Sequence, residues 1–414
     1  VASVLERALD RLETIFAPAK YESAVDFSSN AHLERVCDEI LRKNGDKSPG
    51  AIFQRLDCST NKEVFEKFGI PGVVALVQAR LALMRSSSQE EARYIADAIK
   101  LFIKFEPHKR SKITNKRWRL IWGVSLIDQI IDRALYGEMI NIALKQHNST
   151  PNKPGFNFKR GGVSRLARQY GTLKPTWRSF DARSFDITAS GWGLETVAAL
   201  NARLNASSSP SRADWDLIAN RREQAVLYGT FVFSDGTMCR KVKPGIQPSG
   251  RFTTIDSNGK LVALCRVLWD ITKGVPTNSM SFITMGDDSV QDGIADVDEF
   301  IAWTQQVCGV TLTNESFDGK PGFFHEQNFC SFEMIKHCGT YVPVPLNWEK
   351  NMYALVHPEK TEIDFSADRL QNLCIEYAFH PRFGELQALL GKYHLSDHRS
   401  QAWCQRVQTG FEVA

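Results

Sequence analysis

No run of the eighteen or so uninterrupted apolar residues that a membrane span requires occurs in this 414-residue chain. The nearest stretch, GVVALVQARLALM, is broken by Gln78 and Arg80, so no membrane span is expected. Low-complexity linkers and internal repeats are also missing, and with 43% apolar and 10% aromatic residues nothing marks the chain as disordered. No secretory leader is recognised, and Val1 stands where Met would, so an engineered fragment or a piece of a longer polypeptide is expected. The nine cysteines, from Cys37 to Cys404, include no C-x-x-C pair, and an odd number without pairing suits reduced thiols in a reducing compartment. Cys330, His337 and Cys338 come nearest to a zinc pattern, against the plainer reading of a strand cysteine near a surface turn.

Net charge of one sign is lacking too: 51 basic residues face 47 acidic ones. The distribution is uneven. Lys104, Lys109, Arg110, Lys112, Lys116, Arg117 and Arg119 stand against one acid, Glu106, within sixteen residues. Many surface charge clusters are only solvated faces, but self-repulsion disfavours this density unless anions meet it, and phosphates are the natural partners. Two fainter basic stretches, FNFKRGGVSRLAR and CRKVKPG, point the same way.

The pattern of elements predicts a mixed α/β chain. Residues up to about 100 read as amphipathic helices, one of them starting at SSSQEEARYIADAIKLF with a Ser88/Glu91 capping box. RLIWGVSLIDQIIDRALYG begins as a strand and passes into a helix. TWRSFDARSFDIT reads as a strand with a turn, TFVFSDGTMCRKV as a hairpin, and RFTTIDSNGKLVALCRVLWDI as a helix. A strand-turn-strand surrounds Gly286, NFCSFEMIKHCGTYVPVP is hairpin-like, and the C-terminal region is helical, with Leu370, Leu373, Cys374 and Tyr377 on one face.

Within this frame TMGDDSV sets Asp287 and Asp288 side by side in a turn, and SFDARSFDIT carries Asp181 and Asp186. A Gly-Asp-Asp turn alone is often just a solvated corner. Two adjacent strands, however, would place Asp181 beside Asp287, and crowded carboxylates need cations. Oxygen donors of this kind suit Mg²⁺, and two such ions about 3.5–4 Å apart can drive an in-line phosphoryl displacement. A third element, PSGRFTTIDSN, spaces Ser249-Gly250, Thr254 and Asn258. Gly250 permits close backbone approach at a helix start, and Thr254 and Asn258, one turn apart, can offer polar groups to a sugar hydroxyl.

Taken in order, a basic segment ending in Arg119-Leu120-Ile121, the D-x₄-D strand, the S-G-x₃-T-x₃-N helix and the Gly-Asp-Asp turn resemble those of viral RNA-dependent RNA polymerases. The resemblance is to the sobemovirus-like group, including barnaviruses, and runs from about Lys104 to Pro345. It implies an α/β (α+β) right-hand fold with its palm on an antiparallel sheet. Fingers would occupy 1–176 with an insertion at 191–243, the palm 177–190 and 244–345, and a small helical thumb 346–414.

Asp181 and Asp287 would be the main metal ligands, with Asp288 in support. Asp186, Thr254 and Asn258 would recognise the ribose, and Ser249-Gly250 would form a flexible loop near template and nucleotide. Arg119 would grip the triphosphate, helped by Lys104, Lys109 and Arg117, while Lys109 and Lys112 meet template phosphates. Lys320 would be the general acid for pyrophosphate, with His325 as its competitor. The implied cofactor is Mg²⁺, with Mn²⁺ as substitute. The implied partners are RNA template, nascent RNA, NTPs, viral replication proteins and, as a candidate primer, a genome-linked protein, all within a replication complex in the host cytoplasm. Two rival classes are weighed. A reverse transcriptase usually has an aromatic gate where Asp186 stands, and a noncatalytic RNA-binding protein explains only the basic segment.

Overall fold

The computed structural model describes residues 2–104, 110–171, 174–357, 363–392 and 400–410. The site residue Lys109 lies outside them.

Among the described residues ten strands form three sheets. In chain order they are β1 (Ile99–Ile103), β2 (Leu120–Gly123), β3 (Trp177–Ala182), β4 (Thr230–Val232), β5 (Met238–Arg240), β6 (Phe282–Met285), β7 (Asp288–Asp292), β8 (Leu312–Asn314), β9 (Phe332–His337) and β10 (Thr340–Pro345). One four-stranded sheet runs β6-β7-β3-β8 and is antiparallel throughout. A second runs β2-β1-β4-β5, with β1 and β4 parallel, and β9 and β10 form a separate hairpin.

The antiparallel sheet is centred by its sequence. β3, WRSFDA, is covered on both faces: Trp177 and Ser179 are buried on one, Phe180 and Ala182 on the other, and Asp181 is left half-buried near the far end. Behind the sheet the Thr254–Thr272 helix is buried almost all round, because β6 and the Ala2–Phe16 and Gly191–Leu204 helices all pack on it. The sheet edge at β6 is closed by a loop: Thr284 N donates to Pro151 O and Lys153 N donates to Thr284 O. Asn152, between them, donates to Asp256 on the buried helix, and Asp256 in turn accepts from Lys260. Burial pulls the Lys153 amine down to about 7, and it donates to the carbonyls of His147 and Thr150.

A buried ionic network organises the helices that flank the mixed sheet. Asp128 and Asp132 lie one turn apart on the Leu126–Lys145 helix. Asp132 accepts two bonds from Arg222, at 2.8 and 2.9 Å, and two from Arg251, at 3.3 and 3.4 Å, while Arg251 also reaches Glu223. Burial alone would raise the Asp132 carboxyl, but Arg222 and Arg251 outweigh it and hold it below the usual range. Asp128 pairs with Arg80 at 3.2 Å, and Arg80 with Asp97 at 2.7 Å.

One expectation needs correction. The capping box at Ser88 and Glu91 forms, but it starts only the single turn Gln89–Ala92. The residues after it turn away because Asp97 is captured by Arg80 and by Ser125 Oγ at 2.6 Å, and Ile99 and Leu101 then alternate into the core as β1. Among the described residues one helix, Asn61–Ser86, is long and apolar enough to cross a bilayer by length and composition. Its backbone breaks at Gly69 ahead of Pro71, and Val73, Val77, Leu81 and Met84 are buried in the main core.

The network yields a stability prediction. Asp132→Ala removes the carboxylate shared by two buried guanidinium groups, leaving Arg222 to Asp128 and Arg251 to Glu223, and should cost about 3–5 kcal/mol, read as a lower urea midpoint. Breaking the exposed Arg382–Glu385 pair should leave that midpoint near its parent value.

Candidate active site

A two-residue turn, Gly286-Asp287, joins β6 to β7, with Met285 and Asp288 as the last paired residues. Gly286 has φ +67, and Asp287 is not among the positive-φ residues, as a type II′ hairpin turn requires. β7 then pairs with β3 so that Asp288 lies directly opposite Asp181. The ladder thus pairs Asp181 with Asp288, and Asp287 sits in the turn beside them, near enough for Asp181 to raise its carboxyl. Opposed residues share a sheet face with Cβ atoms about 4.5–5.5 Å apart.

The electrostatics follow from that crowding. Burial, then Asp287 and Asp181, push the Asp288 carboxyl up to about 7, and a hydrogen bond with the Cys330 thiol partly offsets them. Asp287 is raised by burial and by Asp181, against the opposing field of Arg119. Asp181 is raised by burial and by Glu315, against Lys112 and Arg183. Three cations therefore stand within electrostatic range of the carboxylates.

The donor set fits a hard divalent cation. Among the described residues no three carboxylate, imidazole or thiolate groups are gathered closely enough to hold a metal ion by themselves. Mg²⁺ suits such an incomplete set, because it keeps several waters and takes phosphate oxygens as its remaining ligands. The zinc-like trio does not gather. Cys330 turns to Asp288, His337 packs on the Phe379 ring at 4.7 Å, and Cys338 is exposed in the β9–β10 turn. Strand β9 separates Cys330 from the other two by roughly 20 Å at about 3.3 Å per residue.

Asp186 is the second residue of the single turn Phe185–Thr188, which a left-handed Ser184 opens. Its Oδ2 accepts from the Trp122 indole N–H at 2.8 Å and its Oδ1 from Ile187 N at 3.0 Å. The loop leading to Ser249-Gly250 is tied to the same place, since Gln247 N donates to Asp186 O at 2.8 Å. Gly250 passes against β2 so closely that a Cβ there would lie 2.1 Å from Trp122 O. Ser249 is exposed. Thr254 spends its hydroxyl on the carbonyls of Pro248 and Arg251, which secures the loop. Asn258 is buried with Oδ1 unpartnered, as are the Thr253 hydroxyl and both amide atoms of Gln247. Such orphaned polar atoms fit a site that a polar substrate completes.

Of the basic residues, Arg119 immediately precedes β2, and its carbonyl accepts from Lys104 N at 2.8 Å, so the two adjoin across the ladder. Arg117 and Lys112 are exposed. Lys112 stands within the field of Asp181 rather than apart from the carboxylates. Lys320 is not brought to them. It follows Gly319, whose carbonyl accepts from Arg178, and precedes Gly322, which bridges Trp177 at the opposite end of β3 from Asp181. About 10–13 Å of strand intervenes. His325 is stacked between Phe323 and Tyr341 on the β9–β10 hairpin.

Sequence reasoning missed Trp122, Gln247, Glu315, Cys330 and Arg183. Only Arg183 carried a readable signal. Its N–H continues the β3–β8 ladder to Thr311 O, so simple alternation puts it on the face of Asp181.

Comparison with known proteins accords with this geometry. Residues 10–352 match the family described as viral RNA-dependent RNA polymerase. The replicase polyprotein P2AB of Southern cowpea mosaic virus is 26% identical over 87% of this chain, which spans 36% of that protein. Protein P1-P2 of turnip yellows virus is 29% identical over 49% of the chain, which spans 20% of it. The RNA-directed RNA polymerase of mushroom bacilliform virus is 26% identical over 82% of this chain and 81% of its own length. The sicinivirus 3Dpol structure superposes with a TM-score of 0.59 at 15% identity, covering 82% of this chain and 67% of that one, which shows the right-hand polymerase fold. The chain belongs to the viral RNA-dependent RNA polymerase family.

Proposed function

We propose that this chain synthesises RNA on an RNA template, transferring nucleotidyl groups from NTPs to an RNA 3′-hydroxyl in the replication of a positive-strand RNA genome. The observation that carries this reading is the β3–β7 register, which opposes Asp181 and Asp288 beside the Asp287 turn. A noncatalytic RNA-binding protein has no use for that repulsion, and a reverse transcriptase has no use for a carboxylate at Asp186.

Asp181, Asp287 and Asp288 would hold Mg²⁺, or Mn²⁺ in its place. When bound, the ions acidify the attacking hydroxyl and neutralise the departing pyrophosphate. Arg119, with Lys104 and Arg117, holds the triphosphate across the cleft, and Lys112, at the Asp181 side, meets triphosphate or template phosphate. Asp186 accepts a hydrogen bond from the ribose 2′-hydroxyl, and the orphaned Asn258 Oδ1 accepts another sugar hydroxyl. Ser249-Gly250 lies against template and nucleotide. Lys320 stands too far along β3 to donate a proton to pyrophosphate in this arrangement. In this reading 1–176 and 191–243 are fingers, 177–190 and 244–345 palm, and 346–414 thumb. RNA template and product, NTPs, viral replication proteins and a genome-linked protein primer are its partners, in a replication complex of the host cytoplasm.

The test is extension of a defined primer-template beside a primer-free reaction, in Mg²⁺ and in Mn²⁺. Asp181→Ala and Asp287→Ala should each abolish incorporation while the fold persists, since each removes a ligand and relieves crowding. Wild-type rates from Asp287→Ala would end the two-ion assignment. Arg119→Ala should raise the KM for nucleotides or lower kcat, with template affinity nearly constant.

The carboxylates also set a pH dependence. A carboxyl raised to about 7 binds its proton more tightly folded than unfolded, so the stability it contributes is full below about pH 4 and lost as pH rises through 7. Metal-free protein should therefore lose stability between pH 5 and 8. Asp288→Asn should flatten that slope and stabilise the protein at pH 8 by on the order of a few kcal/mol, measured by urea titration at each pH.

A further inference from the structure

We propose that Trp122 is the positioning residue for sugar selection, its indole N–H fixing the carboxylate that reads the 2′-hydroxyl. The inference rests on the polymerase reading above and deepens it.

The geometry is specific. Trp122 is 3% exposed on β2, with its ring edge-on to Phe231 at 5.1 Å, so the indole has little freedom. Its Nε1 donates to Asp186 Oδ2 at 2.8 Å. Each carboxylate oxygen has two lone-pair directions, so one indole bond on Oδ2 and one backbone bond on Oδ1 leave acceptor capacity for a substrate hydroxyl. Rotation of the carboxylate is what they remove. Asp186 lies on a one-turn helix after a left-handed residue, and among the described residues the Trp122 indole is the side chain that donates to it. Without the indole the carboxylate keeps only the bond from its own neighbour's amide.

The same strand reaches two further parts of the site. Arg119 lies three residues before Trp122, and the Trp122 carbonyl is the surface against which Gly250 is pressed. β2 thus spaces the triphosphate cation, the sugar-reading carboxylate and the Ser249-Gly250 loop along one rigid backbone segment. Bound triphosphate at Arg119 and correct sugar at Asp186 are read against a common ruler.

The test compares kcat/KM for matched ATP and dATP, single incorporations on one primer-template, in the wild type, Asp186→Ala and Trp122→Phe. Phenylalanine keeps an aromatic ring and deletes the donor. Trp122→Phe should cut kcat/KM for ATP about tenfold and leave dATP nearly unchanged, narrowing the ratio toward that of Asp186→Ala. If Trp122→Phe folds poorly, benzothienylalanine at 122, which replaces the N–H by sulfur within the same outline, serves instead. A ratio that collapses in Asp186→Ala but stays at the wild-type value in the donor-deleted proteins would overturn the positioning role. So would a ratio that rises, because the indole would then be competing with the sugar. Equal losses for ATP and dATP would mark a structural role and overturn it too. A wild-type ratio in Asp186→Ala would overturn the reading of Asp186 itself and the inference with it, and absence of incorporation by the wild type would instead remove the polymerase reading.

Discussion

Two like charges held opposite one another on paired strands are the constraint on which this structure turns. The ladder bonds between β3 and β7 fix Asp181 and Asp288 face to face, and the Gly286 turn adds Asp287. Nothing local favours this arrangement. It persists because the sheet beneath is anchored by buried Trp177, Phe180, Phe282, Ile283 and Val290, and because the Thr254–Thr272 helix fills the space behind it. The hydrophobic core supplies the free energy, and the carboxylates draw on it until cations arrive.

The second organising feature is polar. Arg251, one residue beyond Ser249-Gly250, is locked to Asp132 and Glu223, and Asp132 is locked to Arg222. The Ser249-Gly250 loop is therefore secured to the helical lobe on one side and, through Gln247 N and Trp122, to Asp186 on the other. Its own tip remains exposed. A loop pinned at both ends with a free centre can admit a substrate without losing its register.

Much of this was legible beforehand, and the physical reasons differ by element. The β6–β7 hairpin and the strand with Asp181 announce themselves through turn chemistry and period-two burial, and the order of motifs supplied the rest. Ser88 misled because a capping box reports only how a helix begins. What stopped it was Asp97, bound by Arg80 and Ser125 from distant segments. Asp181 beside the Asp287 turn was legible, but that Asp288 is its partner across the ladder was not, because register depends on which turn residues leave the ladder. Lys320 fitted by sequence position, yet its loop folds back to Arg178 and Trp177. Trp122 and Gln247 gave no signal at all, since a buried indole and a buried amide look like core and loop until their partners are known.

The loop that closes the β6 edge has a further consequence. Open strand edges invite another chain to add a strand, and concentrated β-proteins aggregate by that route. Here Pro151 and Lys153 occupy backbone positions at Thr284, and the buried Lys153 ammonium, bonded to two carbonyls, pins the loop in place. At the opposite edge β8 offers only three residues. The sheet that carries the carboxylates is thereby shielded against intermolecular pairing, and its colloidal behaviour should depend on one buried lysine.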